Sequence, residues 1–284
     1  MKSVIRNLFL LHRFSAGWLF FTLLQIAILP FAQAATTDEG WRFYDQGEYG
    51  QAYLLFKENA EKGDAKAQYA MGIFLAEGKG GKRNETEAAA WFRKAADQGS
   101  AEAQNRLGDM YDQSRGVKQD LGHALLWYQK AAEKGYAPAQ DNLGRMYELG
   151  RGTTRDYAKA VYYYTHAANQ NNAQAQYHLG LMLARGWGVK QDVPRAAELI
   201  KKSAQQGDAE AMYMLAQMIE NGHGMPKNPR EALNWYKKAA DAGQDRAMER
   251  LAHVYQIGDL GEPQNITLAQ SWYQKTRAAR NQKH

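Results

Sequence analysis

The chain has 284 residues, of which 45% are hydrophobic and 23% charged, enough apolar material for a packed interior and not the composition of a disordered polypeptide. Discounting Lys2, Arg6 and Arg13 from the 36 basic residues leaves 33 against 30 acidic ones, a net charge near +3 in place of +6. That balance gives no case for nucleic acid, which asks for a concentrated basic stripe, and the absence of cysteine excludes disulfides, a thiol nucleophile and cysteine-ligated zinc.

In chain order the first element is a targeting segment over residues 1–34. Lys2, Arg6 and Arg13 precede an apolar run from Trp18 to Phe31, and Ala32-Gln33-Ala34 places small residues where a signal peptidase inspects them. Cleavage after Ala34 is the expectation; retention as a membrane anchor is the alternative, weakened by His12 and Arg13 splitting the apolar stretch and by Gln25 and Pro30 within it. On either reading the remainder is exported, to the periplasm or beyond.

Residues 35–62, around Asp45-Gln46-Gly47-Glu48-Tyr49, read as a helix pair with a tight turn. From residue 63 the chain repeats with a period of 36: Ala67, Ala103, Ala139, Ala175, Ala211 and Ala247 superpose, as do Met71, Leu107, Leu143, Leu179, Leu215 and Leu251. The next column, Gly72, Gly108, Gly144, Gly180, Ala216 and Ala252, admits nothing larger than a methyl, as required where two helices approach closely. Glycines such as Gly150 with Gly152 and Gly186 with Gly188 end the first helix of each unit. Asn84, Asp120, Asp156, Asp192 and Asn228 then cap the second helix, and the pairs Trp91-Phe92, Trp127-Tyr128, Tyr163-Tyr164 and Trp235-Tyr236 lie within it. Units are expected at 63–98, 99–134, 135–170, 171–206, 207–242 and 243–279, with one extra residue near Gly261 and a basic tail at 280–284.

Ala101-Glu102-Ala103-Gln104 through Lys130-Ala131-Ala132 carries nearly all of a motif that resembles the Sel1-like repeat, a relative of the tetratricopeptide repeat. It departs mainly at Ser114, where the pattern has glycine. The resemblance implies an all-α, right-handed superhelical solenoid, with residues 35–62 as its N-terminal capping pair and a concave face lined by the first helix of each unit. It also implies a scaffold that binds protein or peptide partners in envelope assembly, signalling regulation or host contact.

On those first helices two columns at i, i+3 spacing share a face: Arg106 with Asp109, Asn142 with Arg145, His178 with Leu181, Met214 with Gln217, and Arg250 with His253. They are the expected protein-binding stripe, basic at both ends and less charged around His178 and Met214. Met110, Met146, Met182 and Met218 read as core, and Tyr69, Tyr177 and Tyr213 as rings that anchor a partner or cover a neighbouring turn. No nucleophile elbow, phosphate loop or HExxH site is present, so no catalytic, metal or cofactor residue is expected. One cysteine-rich branch of Sel1-like proteins is linked to β-lactam chemistry; this sequence lacks those cysteines. An envelope enzyme or a binder of peptidoglycan-type ligands stands as the rival reading, and self-association through an open end of the solenoid as a third. Units four and six depart most, through Asn171, Leu199-Ile200 and Ser203 in one and Leu260 in the other.

Overall fold

The computed structural model describes residues 36–282. The targeting segment with its cut after Ala34, and Lys283 and His284 of the basic tail, lie outside the described residues. Among the described residues the chain forms fourteen helices and no strand. They come in consecutive pairs: α1 (Thr37–Asp45) with α2 (Tyr49–Glu61), α3 (Ala65–Glu77) with α4 (Glu85–Asp97), and α5 (Ala101–Gln113) with α6 (Leu121–Glu133). Next are α7 (Ala137–Leu149) with α8 (Tyr157–Asn169) and α9 (Ala173–Arg185) with α10 (Val193–Gln205). The last two pairs are α11 (Ala209–Asn221) with α12 (Pro229–Asp241) and α13 (Asp245–Ile257) with α14 (Ile266–Gln282). This is the all-α repeat solenoid expected from the sequence.

The turns repeat because their chemistry repeats. Asn84, Asp120, Asp156, Asp192 and Asn228 each accept a bond from the backbone N–H three residues on, which satisfies a free donor of the second helix. In the sixth unit Asn265 takes that role through Leu268, one position later than the period dictates, as the extra residue requires. The first helices of the six repeats end on left-handed residues, and at Ser114 the backbone keeps this conformation (φ 58°) although the glycine is missing. Asn171 (φ 63°) and Leu260 (φ 52°), the other departures noted in the sequence, are likewise left-handed. The fold therefore imposes the turn, and glycine merely lowers its cost.

Packing within a unit rests on the small-residue column. A Cβ on Gly108 would stand 2.6 Å from Tyr128, and one on Gly144 2.7 Å from Tyr164, so these rings occupy the space a side chain would need. Packing between units rests on the second turn glycine: a Cβ on Gly116 would lie 2.2 Å from the carbonyl oxygen of Glu85, the first residue of the preceding unit's second helix. The α1–α2 pair follows the same plan with a shorter turn, since Gly40 lies over Phe56 as Gly72 lies over Phe92. The alanine and leucine columns and Met110, Met146, Met182 and Met218 are all buried.

A further ladder comes from the glutamine of the motif. Gln68, Gln104, Gln140 and Gln176 are buried, and each donates to an alanine carbonyl eight residues back, on the preceding helix. In three of the units a second glutamine completes the group: Gln98, Gln170 and Gln206 donate at 2.8 Å to Gln68, Gln140 and Gln176. Lys134 stands at the corresponding place for Gln104, donates to the Gly99 carbonyl, and leaves the Gln104 Oε1 without a partner. At the C-terminal end α14 continues through Arg280, which pairs with Glu249 at 2.6 Å and Asp245 at 3.5 Å.

Candidate protein-binding face

Each member of the expected stripe sits on a first helix, and hydrogen bonds join several of them across units. The Asn142 amide donates to Asn105 at 3.0 Å and to Asp109 at 3.2 Å, tying α7 to α5. Asp109 also accepts the Tyr128 hydroxyl at 2.8 Å. Burial raises the Asp109 carboxyl above the usual carboxylate range, a rise that the Tyr128 bond and the nearby Arg106 only partly oppose. Arg106 lies 4.0 Å from Asp109 and keeps half of its side chain, 51%, open to solvent.

His178 Nδ1 lies 2.7 Å from the buried Asp141 on α7, and its ring tilts over Tyr164 at 5.0 Å. Tyr164 in turn donates to Glu148 at 2.6 Å. Farther along, Gln217 donates to the Tyr213 hydroxyl at 3.0 Å, and Met214 packs half-buried against the core of the last units. Arg250 bonds Glu220 and, at 2.6 Å, Asp259, while its Nη1 lies 3.2 Å from His253. Burial works against the Arg250 charge, yet those two carboxylates raise its pKa further still.

The stripe thus divides into a polar network over α5, α7 and α9 and a second one around Arg250. Of its three arginines only Arg145 has no ion pair among the described residues; it is exposed, and its charge lowers the pKa of the neighbouring Tyr128 and Tyr164 hydroxyls, against a larger rise from burial. The Arg250 end, expected to be basic, is locally neutralised by Glu220 and Asp259. Tyr69 and Tyr213 do cover neighbouring rings, with centroids 5.8 Å from Phe92 and 5.8 Å from Tyr236.

Two sets of residues went unassigned in the sequence. One is the hydroxyl–carboxylate pairs, in which the second aromatic of a unit donates to a first-helix carboxylate sixteen positions earlier, as in Tyr164 to Glu148 and Tyr236 to Glu220. The fixed spacing was the available signal. The other is a recess of 190 Å³ lined by Ile73, Ala76, Glu77, Phe92, Arg106, Asp109, Met110 and Arg115, which no local pattern marks. Among the described residues no group of three or more histidine, aspartate or glutamate side chains is arranged to hold a metal ion, and no helix is long and apolar enough to cross a membrane.

The Sel1 repeat model matches six consecutive stretches, 65–100, 101–136, 137–172, 173–208, 209–244 and 245–280. The chain belongs to the Sel1 repeat family. Each matched unit begins on the first residue of a first helix. A Sel1 repeat protein of Oxalobacter formigenes is 34% identical, with a TM-score of 0.81 over 86% of this chain and 100% of its own. A protective antigen of uropathogenic Escherichia coli displaying an SLR fold is 36% identical, with a TM-score of 0.68 over 85% of this chain; the match spans 53% of the antigen. An immunity protein of Pseudomonas aeruginosa, 21% identical with a TM-score of 0.52 over 76% of this chain and 81% of its own, shares the fold alone. No curated protein matches the chain. Sel1 repeat solenoids are generally non-catalytic and generally bind protein partners.

Proposed function

We propose that this Sel1 repeat protein is an exported, non-catalytic scaffold that holds a protein or peptide partner along the face made by α5, α7, α9, α11 and α13. The observation that carries the reading is the state of that face. Its polar side chains are held across units by bonds such as Asn142 to Asn105 and His178 to Asp141, so the surface is preorganised, while Arg106 and Arg145 stay exposed upon it. Preorganisation cuts the ordering cost of association, and a few anchors in such a surface supply most of the affinity. Export rests on the basic, apolar and Ala-x-Ala order of residues 1–34.

A photo-crosslinking residue placed at Arg145 of the full-length protein in its native cells tests the binding reading. The expected result is a discrete crosslinked partner, lost on Arg106→Glu and retained when the crosslinker's neighbours are unchanged. Absence of any partner from this face, together with crosslinking from the second helices instead, overturns it. Fractionation with N-terminal sequencing tests export: a mature protein beginning at Ala35 outside the cytoplasm supports it, and an intact cytoplasmic one removes it.

A further inference from the structure

The repeat pairs a second-helix tyrosine with a first-helix carboxylate sixteen positions earlier, Tyr164 with Glu148 and Tyr236 with Glu220. In the first unit both partners are deleted at once: Phe92 has no hydroxyl, and Ala76 has no carboxylate. The lost atoms are not replaced by packing. A recess of 190 Å³ stands there, with Ile73, Ala76, Phe92 and Met110 as its apolar lining. Binding sites for drug-sized ligands begin at about 300 Å³, so this one is scaled to a single large side chain.

Its rim is charged unequally. Of its two carboxylates, Glu77 takes the Tyr44 hydroxyl, and Asp109 takes Tyr128 and Asn142. Burial raises the Asp109 carboxyl, which favours its neutral form. Of the two arginines, Arg115 is bonded to Glu85 at 2.8 Å, whereas Arg106 lies 4.0 Å from Asp109, shares a hydrogen bond with the Tyr69 hydroxyl and keeps a half-exposed guanidinium. The arrangement offers an apolar floor and, at its mouth, a cation with donors to spare.

We propose that the recess between α3 and α5 is an anchor site for a large apolar side chain of a bound polypeptide, with a carboxylate next to that side chain paired to Arg106. The proposal rests on the scaffold reading and names the chemistry its partner carries: leucine, methionine or phenylalanine beside an acidic residue, or one of those same residues at the carboxyl terminus of the partner. Arg106 supplies a planar, always-charged fork for the carboxylate. The floor supplies burial of the apolar group, withdrawing its methylenes from water.

Methyl-labelled full-length protein, with Ile73 and Met110 as reporters, tests this by titration in solution. The probes are acetyl-Leu-Glu-amide, acetyl-Ala-Leu with a free carboxyl terminus, acetyl-Leu-Lys-amide and acetyl-Ala-Glu-amide. Saturable shifts at both reporters are expected for at least one of the first two, which distinguishes an acidic neighbour from a terminal carboxylate, with at least tenfold weaker binding of the last two. Arg106→Glu is expected to weaken binding tenfold or more. The double variant Ala76→Glu with Phe92→Tyr installs the pair found in the third and fifth units, so it fills the recess with chemistry the fold already accommodates, and it is expected to abolish the shifts. Equal shifts from the lysine probe, or shifts that persist in the filled and folded double variant, overturn the proposal. If a cellular partner still crosslinks at Arg145 of the double variant with undiminished yield, the scaffold reading stands and the anchor falls. Probe binding without a cellular partner gives the reverse.

Discussion

The third and fourth units have the same backbone and different interiors. In the third, Tyr164 is fully buried beneath Gly144, and its hydroxyl reaches Glu148 at 2.6 Å. In the fourth, Ile200 occupies the same place beneath Gly180, a Cβ on which would stand 2.7 Å from it, and Ala184 stands where the carboxylate would be. Even the buried alanine of Lys-Ala-Ala has become Ser203, whose hydroxyl has no partner. Shape is therefore what the stack demands: a small residue on one helix over a wide one on the next. The polar pair is an addition that individual units keep or drop; the first and fourth units both drop it, and in the first a recess lies beside Ala76 and Phe92.

The largest expected effects test the claim about shape. Tyr164→Ala should cost about 4 kcal/mol and Ile200→Ala about 3 kcal/mol in urea unfolding, because both leave a cavity at a fully buried site. A near-zero cost at Ile200 would mean that the fourth unit is loosely packed and the two units are not equivalent. Next, Gly144→Ala should cost about 2 kcal/mol by overpacking against the Tyr164 ring, which its Glu148 bond holds in place. Gly180→Ala should cost less, because Ile200 can change rotamer; an equal loss would show that the backbone, not the side chain, sets the clearance.

Smaller effects isolate the polar addition. Tyr164→Phe should cost about 1 kcal/mol by the same unfolding measurement, as expected for one hydrogen bond whose acceptor keeps some access to water. A cost near that of Tyr164→Ala would make the hydroxyl, not the ring, the essential part. Ser203→Ala should raise stability by about 1 kcal/mol, since a buried hydroxyl without a partner is replaced by the methyl its neighbours carry. The smallest change is Ser114→Gly, expected to raise stability by about 0.5 kcal/mol by relieving a left-handed non-glycine residue. A loss on Ser203→Ala would reveal a role for the side chain that its surroundings do not show, and a loss on Ser114→Gly would mean that the Ser114 hydroxyl's bond to the Val117 carbonyl at 3.4 Å outweighs the left-handed strain.

The period, the caps and the turn positions were legible in the sequence because each depends on residues a few positions apart. An N-cap needs only its own side chain and the backbone three residues on, as at Asp120 and His123, and a left-handed turn announces itself as a glycine column. The two stripe columns were equally visible as a shared helix face. Their chemical state was not. Whether Arg250 is a free cation depends on Glu220, thirty positions away, and on Asp259 in the following turn. Whether Asp109 is an exposed acid depends on Tyr128 and Asn142 from two other helices.

By itself, then, the sequence determined the architecture of this Sel1 repeat protein: helix pairs of fixed period, and which columns are too crowded for a side chain. The tertiary structure decided what the exposed columns offer, leaving Arg145 without an ion pair among the described residues and Arg250 neutralised, and opening a recess where Ala76 and Phe92 meet. The physical reason is range. Backbone conformation and helix faces are settled by near neighbours along the polypeptide, whereas charge and volume are settled by whichever side chains the stacking of units brings together.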